Sequence, residues 1–210
     1  GWRRYQIPHG SPYISPGTYH IEGDATAATY FLAAGALPGS GPVRVDGVGT
    51  ASLQGDVHFL DLLERMGARI RRGPDWLEAA GPKSGRLQAV DIDMNDMPDA
   101  AMTLAVLALF AEGTTRIRNI ANLRVKESER IHGLAVELRK LGAEAEETPD
   151  SLTVNPPGHL RAASISTYRD HRMAMAFSLA SWGTELTIED PACVSKTYPR
   201  YFEEFLRVAK

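Results

Sequence analysis

Apolar residues recur along this chain in two periods that alternate. Over 129–141, Ile131, Leu134, Ala135, Leu138 and Leu141 fall at helical spacing, which predicts a helix with one core-facing side. Three further segments, DATAATYFLAAGAL from Asp24, DAAMTLAVLALFAEG from Asp99 and DHRMAMAFSLASWG from Asp170, each start at an aspartate and continue in small apolar residues. Aspartate is a favoured N-cap because its carboxylate accepts an orphan backbone N–H, so the pattern predicts three aspartate-capped helices buried on most sides. Short alternating or apolar runs predict strands at TYHIEG (18–23), PVRVDGV (42–48), QAVDIDM (88–94), TTRIRNI (114–120), ASISTY (163–168) and TELTIED (184–190). A last helix is expected over YPRYFEEFLRVA (198–209).

These elements repeat. LLERMGARIRRGPDWLEAAGP (62–82) and ELRKLGAEAEETPDSLTVNPP (137–157) align without a gap, matching Leu63 with Leu138, Gly67 with Gly142, Pro74 with Pro149 and Asp75 with Asp150. Each reads as a helix ended by a left-handed glycine, then two strands joined at a Pro-Asp turn. The repeating unit is strand, helix, strand, helix, strand, strand, at about 18–82, 87–157 and 163–210, the last stopping after its second helix. Residues 1–17, rich in proline and glycine, read as a turn-rich lead-in. The expected fold is an α/β domain of quasi-threefold βαβαββ repeats, 18–210, with helices packed inside the sheets: an inside-out α/β barrel.

Composition narrows the class. A hydrophobic content of 43%, a charged content of 23% and a net charge of -3 fit a soluble globular protein and argue against nucleic acid or a membrane surface as partner. The longest apolar stretch, AAMTLAVLALFA (100–111), is too short to span a bilayer, and the first residues lack a signal peptide's apolar run, so a cytoplasmic location is expected. The single Cys193 cannot form an internal disulfide, and the scattered histidines give no metal-ligand spacing. No Walker A or dinucleotide glycine pattern is present, so no nucleotide cofactor is expected.

Any basic site must therefore be local. NIANLRVKESERI (119–131) concentrates Arg124, Lys126, Glu127, Glu129 and Arg130 between a strand and a helix. Such runs are usually solvated surface. The repeat changes that weighting. Lys126 and Arg130 flank the start of helix 129–141, with Ser128 as its expected N-cap; Arg172 falls in the first turn after Asp170; Lys196 precedes the last helix. Cations at helix N-termini oppose the helix dipole and call for a compensating anion, and symmetry-related helix starts converge at one end of the domain. A clamp for a phosphate or carboxylate is the expected result. Arg124 and Glu129 keep the surface reading, and His171 is at most suggestive.

EGDATAATYFLAA, MNDMPDAAMTLAVLALFAEGTTRIRNIANLRVKESERI, ELRKLGAE, YRDHRMAMAFSLA and DPACVSKTYPRYFEEF resemble the C-terminal half of the 5-enolpyruvylshikimate-3-phosphate synthases, nearly from end to end. The resemblance implies two domains of three βαβαββ units closing over a cleft. It also implies transfer of the enolpyruvyl group of phosphoenolpyruvate to the 5-hydroxyl of shikimate 3-phosphate, with release of phosphate through a tetrahedral intermediate and without metal or organic cofactor. By motif, Asp99 contacts the shikimate hydroxyls and is the candidate base; Asn122 and Lys126 hold shikimate 3-phosphate; Glu127 takes part in proton transfer to the methylene. Arg130, Arg172 and Lys196 bind phosphoenolpyruvate, with His171 beside them. An aspartate among cations is a weak base, so Asp99 is expected to orient the hydroxyl more than deprotonate it.

The family's N-terminal half supplies further cations and a serine-rich phosphate site that this chain lacks. The expected partner is therefore that half, joined through 1–17 as a hinge, and the chain alone is expected to be inactive. A stand-alone anion-binding fragment and part of a UDP-N-acetylglucosamine enolpyruvyl transferase are the competing readings. Replacing Lys126 or Arg130 with alanine is expected to leave the fold intact and abolish activity.

Overall fold

The computed structural model describes residues 4–209; residues 1–3 of the expected lead-in and Lys210 lie outside it. Three buried helices form the middle of the molecule: α1 (Ala25–Ala36), α3 (Ala101–Leu107) and α5 (His171–Ser178). Each carries alanines among larger apolar residues, and α3 packs against both α1 and α5. The Thr29 hydroxyl donates to the Thr26 carbonyl at 2.7 Å and lies 3.2 Å from the Thr103 hydroxyl across the α1–α3 contact, so both buried hydroxyls have a partner. Around this centre lie α2 (Phe59–Arg65), α4 (Arg130–Lys140) and α6 (Tyr201–Val208), each burying one side.

Short sheets cover the helices. The most complete has the order β5 (Asp91–Asp93), β7 (Thr115–Arg118), β9 (Leu152–Asn155), β8 (Glu144–Glu147), with β5 and β7 parallel and the other pairs antiparallel. A second sheet, β1 (Val43–Asp46), β3 (Trp76–Ala80), β2 (Arg69–Arg72), has the antiparallel part of that pattern. A third, β10 (Ala163–Ile165) with β11 (Leu186–Ile188), has the parallel part. Two further short strands, β4 (Leu87–Gln88) and β6 (Ala111–Glu112), pair in parallel, so the run expected over 88–94 is divided between two sheets.

Two backbone positions show why the sequence takes this shape. Gly67 and Gly142 end α2 and α4 at φ +94° and +97°, where a side chain would be strained, and the chain turns there into β2 and β8. At Gly35 the constraint is space: an added Cβ would lie 2.5 Å from the Ala79 carbonyl oxygen, so glycine is what lets α1 lie on β3.

One expected element is absent. Residues 18–22 join no ladder among the described residues; Gly23 N–H donates to the Gly47 carbonyl at 2.7 Å, just past the end of β1. Alternation predicts a half-buried strand only if the apolar face has a surface to cover, and here Tyr19 and Ile21 are 70% and 90% exposed. No helix among the described residues is long and apolar enough to cross a membrane.

Candidate active site

The charged residues singled out by the sequence meet where the N-terminal ends of α3, α4 and α5 converge. Asp99 does not cap α3 as expected. Pro98 opens a 3-10 turn, Pro98–Ala100, one residue earlier, and Ala100 takes the cap position without a side-chain bond. Its carboxylate is thereby released. Oδ1 accepts from Arg130 Nη1 at 2.8 Å and lies 3.5 Å from Lys126 Nζ, while Oδ2 lies 3.3 Å from Arg172 Nη2.

Arg130 is the hub. It is the first residue of α4 and has no exposed surface, which is tolerable only because its donors are satisfied by carboxylates. Nε donates to Asp170 Oδ2 at 2.7 Å, Nη2 to Glu127 Oε2 at 2.6 Å and to Asp170 Oδ1 at 3.2 Å, and Nη1 to Asp99. Asp170 caps α5 as expected, accepting from Arg172 N–H at 2.9 Å with the same oxygen that faces Arg130 Nη2. Ser128 does not cap α4: Glu129 does, accepting from His132 N–H at 2.6 Å. A cap must immediately precede the first helical turn, and Ser128 is one residue too early. Its hydroxyl instead donates to Asp170 Oδ2 at 3.0 Å.

Lys196 closes the 3-10 turn Pro191–Lys196 and donates to Glu127 Oε1 at 2.7 Å. That bond, more than the neighbouring Arg130 charge, holds the Glu127 carboxyl down at about 2, well below its ordinary 4.5, despite partial burial that works the other way. His171 is buried at the start of α5 with Nδ1 unpaired and 3.7 Å from Asp170 Oδ1; burial first, and Arg172 second, hold it below its usual range. Asn122 is exposed in the 3-10 turn Ala121–Val125, which packs against Pro98–Ala100, and is not among the ion pairs described.

The charged run thus divides by direction. Lys126, Glu127 and Arg130 point into the cluster. Arg124 points away, donating to the Pro149 carbonyl at 2.9 Å and to Glu147 at 3.1 Å, with Glu129 and the Thr148 carbonyl also in contact, so it fastens the β8–β9 turn. Four cations, Lys126, Arg130, Arg172 and Lys196, are ion-paired with three carboxylates, Asp99, Glu127 and Asp170, and Asp24 adds a fourth carboxylate whose charge acts on Arg172. Lys126 and Lys196 are the accessible ones, with side chains 36% and 56% exposed. An anion arriving here would meet mobile ammonium groups backed by a fixed, buried guanidinium.

Two participants were not selected from the sequence. Asp170 was read only as a cap, although a carboxylate has a second oxygen and an arginine two residues on. Tyr30 was not singled out; it is fully buried in α1, yet its hydroxyl lies 3.4 Å from Arg172 Nη1. The available signal was a single phenol in a helix otherwise made of small or purely apolar residues, since a buried Tyr O–H requires a partner. A separate groove of about 330 Å³ opens between α1 and β1, lined by Phe31, Val45 and Tyr198 among others. That groove is lined by Asp24 and Asp46 and by no lysine or arginine, whereas the ion-pair cluster holds four cations.

Comparison with solved structures places the fold among the enolpyruvyl transferases. EPSP synthase from Acinetobacter baumannii superposes with a TM-score of 0.76 at 26% identity, covering 90% of this chain and 46% of that one. The enolpyruvyl transferase NikO from Streptomyces tendae gives 0.71 at 25% identity, covering 90% and 43%. The model of the EPSP synthase (3-phosphoshikimate 1-carboxyvinyltransferase) family matches residues 3–205, and the chain belongs to that family. Similar relatives include the 3-phosphoshikimate 1-carboxyvinyltransferases of Thiobacillus denitrificans, 57% identical over 212 residues, and Laribacter hongkongensis, 58% identical over 206. They cover 100% and 98% of this chain, which spans 49% and 48% of their lengths: about half of the curated relatives it matches.

Proposed function

We propose that this chain contributes the C-terminal half of a cytoplasmic synthase that transfers the enolpyruvyl group of phosphoenolpyruvate to the 5-hydroxyl of shikimate 3-phosphate, releasing phosphate. The observation that carries the reading is the cluster of four cations, ion-paired with three carboxylates and assembled where three helices begin. Two polyanions must be brought together against their mutual repulsion, and fixed cations at helix ends offset that cost while orienting the reacting atoms.

In this reading Lys126 and Asn122 hold shikimate 3-phosphate, and Asp99, steadied by Arg130 and Arg172, orients the attacking hydroxyl. Arg172 and Lys196 take the phosphate and carboxylate of phosphoenolpyruvate, with His171 packed beside them. Arg130 is fully buried against carboxylates, so its contact with phosphoenolpyruvate requires Glu127 or Asp99 to yield an Nη edge. Glu127 follows from its partner: while Lys196 is bonded to it, it stays ionised, and when Lys196 turns to the incoming phosphate, its proton affinity rises. It can then carry a proton to and from the methylene carbon. The N-terminal half supplies the remaining substrate contacts, and the chain alone is inactive.

The test is complementation. The chain is mixed with a separately made N-terminal half of a relative, both substrates are added and phosphate release is followed. Release that requires both halves supports the reading; no release from two folded halves contradicts it.

A further inference from the structure

Arg172 differs from the other cations in how it is held. Its side chain is 16% exposed, it extends from α5, and its guanidinium is approached from two other units of the repeat: Asp99, ahead of α3, at Nη2, and Tyr30, from α1, at Nη1. Its Nε is buried without a partner, so the two Nη contacts define the orientation of the plane.

The two partners are not equivalent. Asp99 neutralises charge as it binds. Tyr30 does not: burial pushes its phenol up to about 12, so it remains a neutral acceptor that fixes the guanidinium while leaving the positive charge available to an anion. The phenol is itself fixed. Tyr201 meets the Tyr30 ring edge-on, with centroids 5.9 Å apart at 83°. The Tyr201 hydroxyl in turn donates to the Met175 carbonyl at 3.0 Å and lies 2.8 Å from Ser178 Oγ, both on α5, the helix that carries Arg172. The ring of contacts therefore closes on itself: α5 holds Tyr201, Tyr201 holds Tyr30, and Tyr30 holds the guanidinium of α5.

We propose that Tyr30 is a positioning residue for anion binding: it touches no substrate but sets the direction of Arg172, and so the fit of the carboxylate or phosphate of phosphoenolpyruvate. The inference rests on the functional reading above and deepens it.

Tyr30→Phe keeps the ring and its packing and removes only the hydroxyl. In the complemented enzyme the variant is expected to raise KM for phosphoenolpyruvate about tenfold, the scale of one hydrogen bond to a charged group, while kcat changes less than about threefold. In an Arg172→Lys background the same substitution should have no further effect on KM, since the geometry it served is gone. An unchanged KM, or an equal rise in both backgrounds, overturns the proposal. If the parent halves release no phosphate, it is the functional reading that has failed, and the chain alone then decides the positioning role. The Arg172 Nη protons, followed by NMR, should show hindered rotation in the parent and averaging in Tyr30→Phe; identical behaviour in the two overturns it.

Discussion

Lys126 and Arg130 stand four residues apart at one turn-to-helix junction, yet their removal has different consequences. Lys126 is partly exposed and 3.5 Å from Asp99, so Lys126→Ala should cost under about 1 kcal/mol of stability and reduce phosphate release in the complemented enzyme at least about a hundredfold. Arg130→Ala was expected from the sequence to spare the fold. Its burial reverses that expectation: Asp170, also fully buried, would lose its countercharge, at a cost of about 3–5 kcal/mol, readable as a lowered thermal midpoint. Glu127 gives a prediction in pH. Its folded value of about 2 lies below its ordinary 4.5, so the stability it contributes is present above about 4.5 and is lost as pH falls toward 2. A carboxyl NMR titration should place Glu127 near 2 in the parent and closer to 4.5 in Lys196→Ala; an unchanged midpoint would show that Lys196 is not the cause.

At the scale of elements, local chemistry was legible and long-range competition was not. The helix read over 129–141 is Arg130–Lys140, and both glycines expected to be left-handed are so, because spacing and backbone freedom are properties of the segment itself. The failures are of two kinds, cap register within a segment and a strand's missing cover. Ser128 has cap chemistry but stands one residue too early, Asp99 is displaced from its cap by the turn that Pro98 begins, and 18–23 alternates without a surface to cover. Lys126 and Arg130 were legible in the sequence because the repeat placed them at a helix start, and Glu127 only through the family resemblance. Asp170 and Tyr30 were missed as site residues because their partners lie on other units. Helix-on-sheet packing is testable at Gly35, where a methyl group would enter the 2.5 Å gap to the Ala79 carbonyl. Gly35→Ala should destabilise by about 1–3 kcal/mol, although alanine is the better helix former; a gain in stability would mean that α1 does not lie so close to β3.

Across the whole molecule, threefold repetition turns three ordinary helix starts into one charged site. No single unit contains it: Asp99 precedes α3, Arg130 begins α4, Arg172 lies in α5, and Tyr30 comes from α1. Four cations are thereby gathered at one place in a chain of net charge -3, where the proposed function has an anion bind. The chain spans about half of its relatives' length, and the proposed activity depends on a second half closing over the cluster. The most direct measurement is phosphate release from shikimate 3-phosphate and phosphoenolpyruvate on mixing this chain with a relative's N-terminal half. The account predicts release by the mixture, none by either half alone, and release at least about a hundredfold slower when the chain carries Lys126→Ala. Two folded halves that together release no phosphate, or a mixture indifferent to Lys126, would contradict it.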